Sequence, residues 1–377
     1  MPPGYRPGVS ARLLHAASPP HLPLRTSEFD FALPEALIAQ RPARPRDSAR
    51  LLVLRPNAIE DRIVRDLPEL FRAGDVMVVN DTRVVPARLR ARRGDAAVEI
   101  LLNRPSEEGW WHALVRNARR LRPGDRLTIE RAPDLHVRVV RRTEDGGALL
   151  DLGPDQATVL ALLDRAGEVP LPPYIARPDG PLPEDREDYQ AIFARRPGAV
   201  AAPTASLHFT EAMLAALDAK GVCRATVTLH VGAGTFLPLR GENPRAERLH
   251  AEWGEVSPEA AALINGARPA GGRIVAVGTT ALRLLETAAT DGDSWARPAR
   301  PFRGLTDLFL LPGHRFRSAD ALMTNFHLPR SSLFMLACAF AGTERMRSAY
   351  AHAIAAGYRF YSYGDASLLF PAECGPA

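Results

Sequence analysis

The sequence predicts an α/β main domain with a mostly parallel sheet, plus an inserted small all-β, barrel-like domain. Its 377 residues suffice for two or three domains. Strand-like segments follow one another over 75–153 without helical periodicity, whereas helices and strands alternate over most of the remaining chain. Such alternation is typical of a parallel sheet covered on both faces. We therefore predict an arm over 1–26, an α/β domain over 27–74 and 155–377, and a barrel domain over 75–154.

The amino-terminal arm is expected to be disordered. It is rich in Pro, Arg and His, and His15 interrupts an apolar stretch over 13–17 that is too short for the core of a signal peptide. We therefore assign the arm no targeting role. The first element of the α/β domain is expected to be a helix over 31–42, with Pro34 near its first turn.

The barrel domain is predicted from seven short segments. The first is "DVMVVND" (75–81) and the last is "GALLDLG" (147–153), and turn signals such as Arg93-Gly94-Asp95 separate them. Strands at intervals of about 8 to 12 residues with such turns indicate a small barrel or sandwich.

Beyond the barrel, helices are predicted over 156–167, 210–221, 257–268, 279–289 and 345–357, and a further helix follows Pro329. The intervening strands are predicted over 223–232, 274–277 and 323–326. The loop 167–190 contains six prolines, which forbid a regular helix. Its two tyrosines, Tyr174 and Tyr189, favour an ordered, functional loop.

Composition excludes several classes of protein. The three cysteines lie far apart without a CxxC pair, and the histidines show no HExxH spacing, which argues against a disulfide framework and structural zinc. The longest apolar run, 333–342, is too short to span a bilayer. We expect a soluble, cytoplasmic protein without a metal. The net charge of +5 comes almost entirely from arginine, which by itself is weak evidence for nucleic-acid binding.

Three segments place polar or glycine residues at the carboxyl ends of predicted strands, where ligands bind in open α/β sheets. These residues are Thr279, Thr280 and Arg283; His230, Gly232 and Gly234; and Asn325 and His327. An ordinary helix cap with a surface arginine would explain the first segment equally well, and a buried core histidine is the more common explanation for the third. The second segment lacks the third glycine of a dinucleotide-binding loop, so we reject that cofactor site.

Further polar clusters are candidates for the same site. They contain Asn80, Asp81, Thr82 and Arg83; Thr204 and His208; His250 and Glu252; and Tyr363 and Asp365. His250 and Glu252 share a strand face and suit proton transfer, although a surface pair is the simpler interpretation. Spacing alone therefore predicts only a site built from several segments.

Seven segments together are more specific. They are "VVNDTRVVPARL", "GEVPLPPYI", "PGAVAAPTASLHFT", "VTLHVGAGTF", "AVGTTALRLLE", "ALMTNFHLPRSSLFMLACAFAG" and "YRFYSYGDASLLF", in this order. Over residues 29–370 the chain resembles the S-adenosylmethionine:tRNA ribosyltransferase-isomerases of the queuosine pathway. The resemblance implies transfer and isomerisation of the ribosyl group of S-adenosylmethionine onto 7-aminomethyl-7-deazaguanine at the tRNA wobble position. The products are epoxyqueuosine, adenine and methionine.

The resemblance also implies roles for residues. S-adenosylmethionine is a consumed substrate, and neither a metal nor another cofactor is implied. The candidate acids and bases, left unranked, are His208, His230, His250 and His327, with Glu252 beside them. The candidate substrate-binding residues are Asn80, Asp81, Thr82, Arg83, Tyr174, Tyr189, Thr204, Gly232, Gly234, Thr279, Thr280, Arg283, Asn325, Tyr363 and Asp365.

The sequence departs from the family pattern at several positions. They include Asp188, where the family has Arg, Ser206 for Gly, Ala281 for Ser and His314 for Tyr. Because the arginine lies in the substrate loop, one alternative is a divergent enzyme that acts on another amine. The other alternative is a tRNA-binding module without catalysis. Whichever function applies, we expect a monomer that binds no membrane.

Overall fold

The computed structural model of the protein describes residues 24–371 except 107, 117, 145, 237, 238, 240 and 290–297. The predicted arm lies mostly outside these residues. Its last residue, Thr26, is buried, and its hydroxyl donates a hydrogen bond to the carbonyl of Gly241 at 2.8 Å. The chain is thus already anchored at the end of the predicted arm.

In chain order the strands are β1 (Arg50–Arg55), β2 (Ala58–Ile63), β3 (Val76–Asn80), β4 (Thr82–Val84), β5 (Arg88–Arg93), β6 (Ala96–Pro105), β7 (Trp111–Val115), β8 (Arg126–Ile129), β9 (Ala132–Arg142), β10 (Ala148–Asp151), β11 (Arg196–Ala199), β12 (Cys223–Leu229), β13 (Glu252–Val256), β14 (Ile274–Val277), β15 (Phe302–Thr306), β16 (Ala321–Asn325) and β17 (Ala366–Leu369). The helices are α1 (Leu67–Leu70), α2 (Gln156–Ala166), α3 (Asp185–Asp188), α4 (Glu211–Ala219), α5 (Pro258–Ala267), α6 (Thr279–Ala288), α7 (Ser332–Ala341) and α8 (Thr343–Ala355).

The strands form a large mixed sheet and a closed barrel. The sheet has the order β15-β13-β12-β3-β14-β16-β17-β1-β2, and the barrel has the order β10-β7-β6-β5-β8-β9. Parallel pairing holds the centre of the sheet together, from β12 to β16. Antiparallel pairs add β13 and β15 at one edge and β2 at the other. The predicted fold class is confirmed, although the parallel part of the sheet is smaller than expected.

Two hydrophobic cores cover the two faces of the large sheet. In β3, Val76 and Val78 face a core that includes residues of α5 to α8. Met77 and Val79 face the opposite core, which includes residues of α4. This alternation follows from the two-residue period of a strand. The barrel has a separate core.

The assignment of segment 75–81 to the barrel is wrong. Segment 75–81 contains β3, which is buried at all five of its positions and pairs in parallel with β12 and β14 in the large sheet. A continuous apolar run is typical of a central strand that is buried on both faces. β4 likewise pairs with β11, so the closed barrel begins only at β5.

The prediction of a helix over 31–42 is also wrong. Within this segment the structure has only a short 3₁₀ turn, Glu35–Leu37. Phe31 instead packs against Phe334 and Tyr350, with ring centroids 5.1 Å apart in both pairs. Such tertiary contacts override the weak local preference for a helix.

The other predicted helices are present as α2 and α4 to α8. Helix α2 has an unexpected position, because its apolar side packs into the barrel core. Within the described residues, no helix has the length and apolar character required to cross a bilayer.

Candidate active site

A cavity of about 460 Å³ lies at the carboxyl ends of the parallel strands β14 and β16. Its lining comes from stretches that are far apart in the sequence. They are residues 173–174, 201–205, 278–280, 324–333 and 361–362, together with Tyr189, Val231, Leu239 and Arg283. The ends of neighbouring parallel strands and the start of a helix commonly form ligand sites in α/β proteins.

Eight of the residues predicted from the sequence line this cavity. They are Tyr174, Tyr189, Thr204, Thr279, Thr280, Arg283, Asn325 and His327. Further lining residues were not among the predicted site residues, namely Pro173, Thr324, Phe326, Arg330, Tyr361 and Ser362. Most of these lie inside the same motifs, so proximity to the predicted residues was the available signal.

His327 is the one candidate histidine among the residues that line the cavity. It is 7% exposed, and its Nε2 lies 2.9 Å from the hydroxyl oxygen of Thr324. Its backbone N–H donates a hydrogen bond to the Tyr350 hydroxyl at 2.8 Å. Burial lowers the pKa of His327 to about 3, so the imidazole is neutral at physiological pH.

Asn325 connects β16 to the turn opposite. Its Nδ2 donates to the carbonyls of Tyr361, at 2.9 Å, and Ser362, at 3.2 Å. His208 lies behind the wall with its Nε2 3.3 Å from Asn325 Oδ1, and burial lowers the pKa of His208 to about 4. The amide of Asn325 is therefore committed to holding the cavity wall.

Glu252 is paired with Arg283 rather than left on the surface. Its Oε2 accepts a hydrogen bond from Arg283 Nη1 at 2.5 Å, and its Oε1 accepts one from the backbone N–H of Gly232 at 2.8 Å. His250 is exposed, and it lies against Gly234. Glu252 thus contributes to the site by holding an arginine of the wall.

The two predicted loop glycines approach protein side chains. A Cβ atom on Gly232 would lie 2.8 Å from Asn103 Oδ1, and one on Gly234 would lie 2.6 Å from His250 Cδ2. Asn103 belongs to β6 of the barrel, and its Oδ1 accepts a hydrogen bond from the N–H of Ala233 at 2.9 Å. This loop therefore docks the barrel against the α/β domain, beside the cavity.

The cluster at the end of β3 lies outside the cavity lining. The side chain of Asn80 bonds both backbone groups of Leu229 and reaches Thr280 Oγ1 at 3.4 Å. Asp81 accepts from Thr228 Oγ1 at 2.6 Å, and burial raises the pKa of Asp81. Arg83 is exposed.

His230 packs beside this cluster. Thr82 Oγ1 lies 2.8 Å from its Nδ1, and its ring stacks on Trp253 with centroids 5.2 Å apart. Burial lowers the pKa of His230 to about 4. These contacts connect β12 to its neighbours, away from the cavity.

The carboxyl-terminal turn supports the cavity from behind. Asp365 accepts hydrogen bonds from the backbone N–H groups of Arg50, at 3.0 Å, and Arg359, at 2.7 Å. Tyr363 is buried edge-on against Tyr189, which lines the cavity, with ring centroids 5.9 Å apart. Both predicted residues therefore lie one layer away from the cavity surface.

The backbone is strained at two points of the cavity wall. Within the described residues, the non-glycine residues with positive φ are Arg330 (56°) and Tyr361 (73°), and both line the cavity. Such conformations cost free energy, especially for a bulky side chain, and they concentrate at functional sites. Asn325 holds the carbonyl of Tyr361 in this conformation.

A family model described as "Queuosine biosynthesis protein" matches residues 26–369. The chain belongs to this family. An S-adenosylmethionine:tRNA ribosyltransferase-isomerase from Gluconacetobacter diazotrophicus is 61% identical over 91% of this chain and 96% of its own length. The enzyme of the same name from Acidiphilium cryptum is 58% identical over 92% of this chain and 99% of its own.

A solved structure is also similar to this chain. The crystal structure of an S-adenosylmethionine tRNA ribosyltransferase from Thermotoga maritima is 38% identical, with a TM-score of 0.51. The similarity extends over 91% of this chain and 99% of the Thermotoga maritima chain. The resemblance read from seven motifs is confirmed, and so is the expectation that the chain is an enzyme.

The departures from the queuosine-family pattern do not reach the cavity lining. Asp188 is buried and accepts a hydrogen bond from Arg44 at 2.8 Å. His314 Nε2 lies 3.0 Å from Glu286 Oε2. Ser206 and Ala281 are buried. Within the described part of this family member, no group of three or more His, Cys, Asp or Glu side chains is arranged to hold a metal ion.

We expect the folding stability of this queuosine-family chain to decrease below about pH 6.5. Burial lowers the pKa values of His208 and His327 from 6.5 to about 4 and about 3. The unfolded chain therefore binds more protons in this window, so stability is complete above it and is lost as pH falls. Each histidine should lower the free energy of unfolding by roughly 1 to 2 kcal/mol at pH 5.

Urea unfolding at pH 7.5 and pH 5 would measure this loss. The His208→Asn variant should lose less stability on acidification than the wild type, because one titrating group is gone. Equal losses in the two proteins would show that His208 does not carry the effect.

Proposed function

We propose that this chain transfers the ribosyl group of S-adenosylmethionine to 7-aminomethyl-7-deazaguanine at the wobble position of tRNA. The sugar is isomerised to an epoxycyclopentane, giving epoxyqueuosine, and adenine and methionine are released. The observation that carries the proposal is the cavity of about 460 Å³, which is lined by eight predicted residues, seven of them from the family motifs. A volume of this size suits one nucleoside-sized ligand.

The charges around the cavity are compatible with a sulfonium substrate. Two arginines are among its lining residues, and each is paired with a carboxylate, Arg283 with Glu252 and Arg330 with Glu242. Aromatic rings line other parts of the wall, including Tyr174 and Tyr361, whose centroids are 4.7 Å apart. Such rings can stack on adenine and attract a cation.

We assign the first proton transfer to His327. The positive charge of the sulfonium makes the adjacent carbon acidic, and a neutral imidazole can accept its proton. The neutrality of His327 and its place in the cavity wall support this role. Its Nε2 is occupied by Thr324, which leaves Nδ1 as the reacting nitrogen. Departure of adenine, attack by the amine and closure of the epoxide follow.

The acceptor must leave the anticodon stack to reach such a cavity. Proteins that modify a base turn it outward into a pocket, and arginines commonly hold the surrounding phosphates. The excess of arginine over lysine in this chain suits such contacts. We propose a cytoplasmic monomer that uses S-adenosylmethionine as its small-molecule substrate and needs no metal.

The experiment is an incubation of the protein with S-adenosylmethionine and tRNA that carries the aminomethyl-deazaguanine, followed by mass analysis. We expect free adenine together with epoxyqueuosine in the digested tRNA. The control is tRNA with unmodified guanine at the wobble position, which should release no adenine. Adenine released only with another amine would favour a divergent enzyme. Binding of tRNA without any adenine would favour a binding module.

A further inference from the structure

Arg283, a residue of the cavity wall, has a buried guanidinium nitrogen that no other described residue contacts by a hydrogen bond. Arg283 is 6% exposed, and it lines the cavity. Its Nε donates to the carbonyl of Leu308 at 3.1 Å, and its Nη1 donates to Glu252. Its Nη2 is buried and has no hydrogen-bond partner among the described residues. Because a buried charged donor without a partner is costly, this group calls for a ligand.

The helix that carries Arg283 begins at the same wall. α6 starts after Gly278, which has φ 93° and provides no side-chain cap. Side chains cap the starts of four other helices, namely Asp155, Thr210, Ser257 and Ser331. Gly278, Thr279 and Thr280 line the cavity, so the free N–H groups and the positive end of the helix dipole face it.

We infer that this corner of the cavity binds the α-carboxylate of the methionyl part of S-adenosylmethionine. Nη2 of Arg283 and the first N–H groups of α6 are the donors. The inference rests on the proposed function and adds the group of the substrate that is recognised. A carboxylate fits because helix N-termini and guanidinium groups both bind anions. It is the anionic group of this substrate.

The guanidinium is held ready for this contact. Glu252 and the carbonyl of Leu308 fix two of its nitrogens, and the N–H of Gly232 fixes Glu252 in turn. A donor that is already oriented loses less conformational freedom when a ligand binds. Arg330 is a weaker candidate, because its side chain is 47% exposed and already bound to Glu242 at 2.7 Å.

Calorimetric titration with two ligands tests the inference. One is S-adenosylmethionine and the other is its decarboxylated analogue, which keeps the adenosyl, sulfonium and amino groups. We expect the wild type to bind S-adenosylmethionine about tenfold to a hundredfold more tightly than the analogue. Arg283→Met should lose this preference, with weaker binding of S-adenosylmethionine and unchanged binding of the analogue.

A matched control separates this contact from the loss of a buried ion pair. Arg268 binds the carboxylate of Asp320 and the carbonyl of Arg317 outside the cavity lining, so Arg268→Met should keep the full preference. Arg283→Lys is a second variant, for use if the methionine variant does not fold. It keeps a positive charge beside Glu252, so its preference for S-adenosylmethionine over the analogue should be intermediate.

Three outcomes would overturn the inference. A wild type that binds both ligands equally has no carboxylate site. If Arg283→Met weakens the affinity for both ligands by the same factor, Arg283 has a structural role only. In both cases S-adenosylmethionine still binds, so the proposed function stands. A folded wild type that binds neither ligand would overturn the inference and the proposed function together.

Discussion

Replacing His327 by alanine is expected to lower the rate of adenine release at least about tenfold, a conservative figure because a positioned acid or base contributes about 10²–10⁴-fold. The variant loses the imidazole that contacts Thr324, and both residues line the cavity. Its contact with Tyr350 is made by the backbone and should persist. Single-turnover measurements with S-adenosylmethionine and the modified tRNA would separate this chemical step from product release.

Two further variants sharpen this prediction. His327→Gln keeps a polar group beside Thr324 but cannot accept a proton at neutral pH, so it should be as slow as the alanine variant. His352→Ala removes a partly exposed histidine that pairs with Asp61 outside the cavity lining, and its rate should match the wild type. A near-normal rate in His327→Gln would assign this histidine an orienting role instead of proton transfer.

Positions at strand ends were sufficient to predict one part of the candidate site, but not the rest. Polar residues after β14 and β16 line the cavity, because these strands are parallel neighbours. His230 also follows a strand of the sheet, yet its ring packs on Trp253 of the antiparallel neighbour β13. The order of strands in a sheet depends on long-range pairing, so the local pattern could not separate the two situations.

The role of each side chain was less predictable than its position. Asn325 and Arg283 both line the cavity, as the sequence led us to expect. The amide of the first holds two backbone carbonyls, whereas the guanidinium of the second retains a nitrogen without a partner among the described residues. These roles depend on contacts that are distant in the sequence. Asn325 bonds Tyr361, which is 36 positions away, and Arg283 bonds Leu308, which is 25 positions away.

The positive φ of Tyr361 could not be predicted either. Tyrosine rarely adopts this conformation, and no turn pattern in "YRFYSYGD" requires it. The conformation is held by bonds from outside the turn, among them the one from Asn325. This dependence leads to a prediction about stability and binding together.

Replacing Asn325 by leucine should lower the free energy of unfolding by about 2 to 6 kcal/mol, since two buried carbonyls lose their donor at about 1 to 3 kcal/mol each. Leucine has a similar volume, so the loss of packing is small. Release of the strained turn should also displace the ring of Tyr361 from the cavity wall. Affinity for S-adenosylmethionine should therefore fall even at temperatures where the variant is fully folded.

Asn265→Leu is the matched control, since its amide bonds the backbone N–H and carbonyl of Ala299 at 2.7 and 2.9 Å, away from the cavity lining. It should lose stability while keeping its affinity for S-adenosylmethionine. Urea unfolding and calorimetric titration of both variants provide the two measurements. If the Asn325 variant keeps wild-type affinity despite lower stability, the turn holds its shape without this amide, and the positive φ of Tyr361 has another cause.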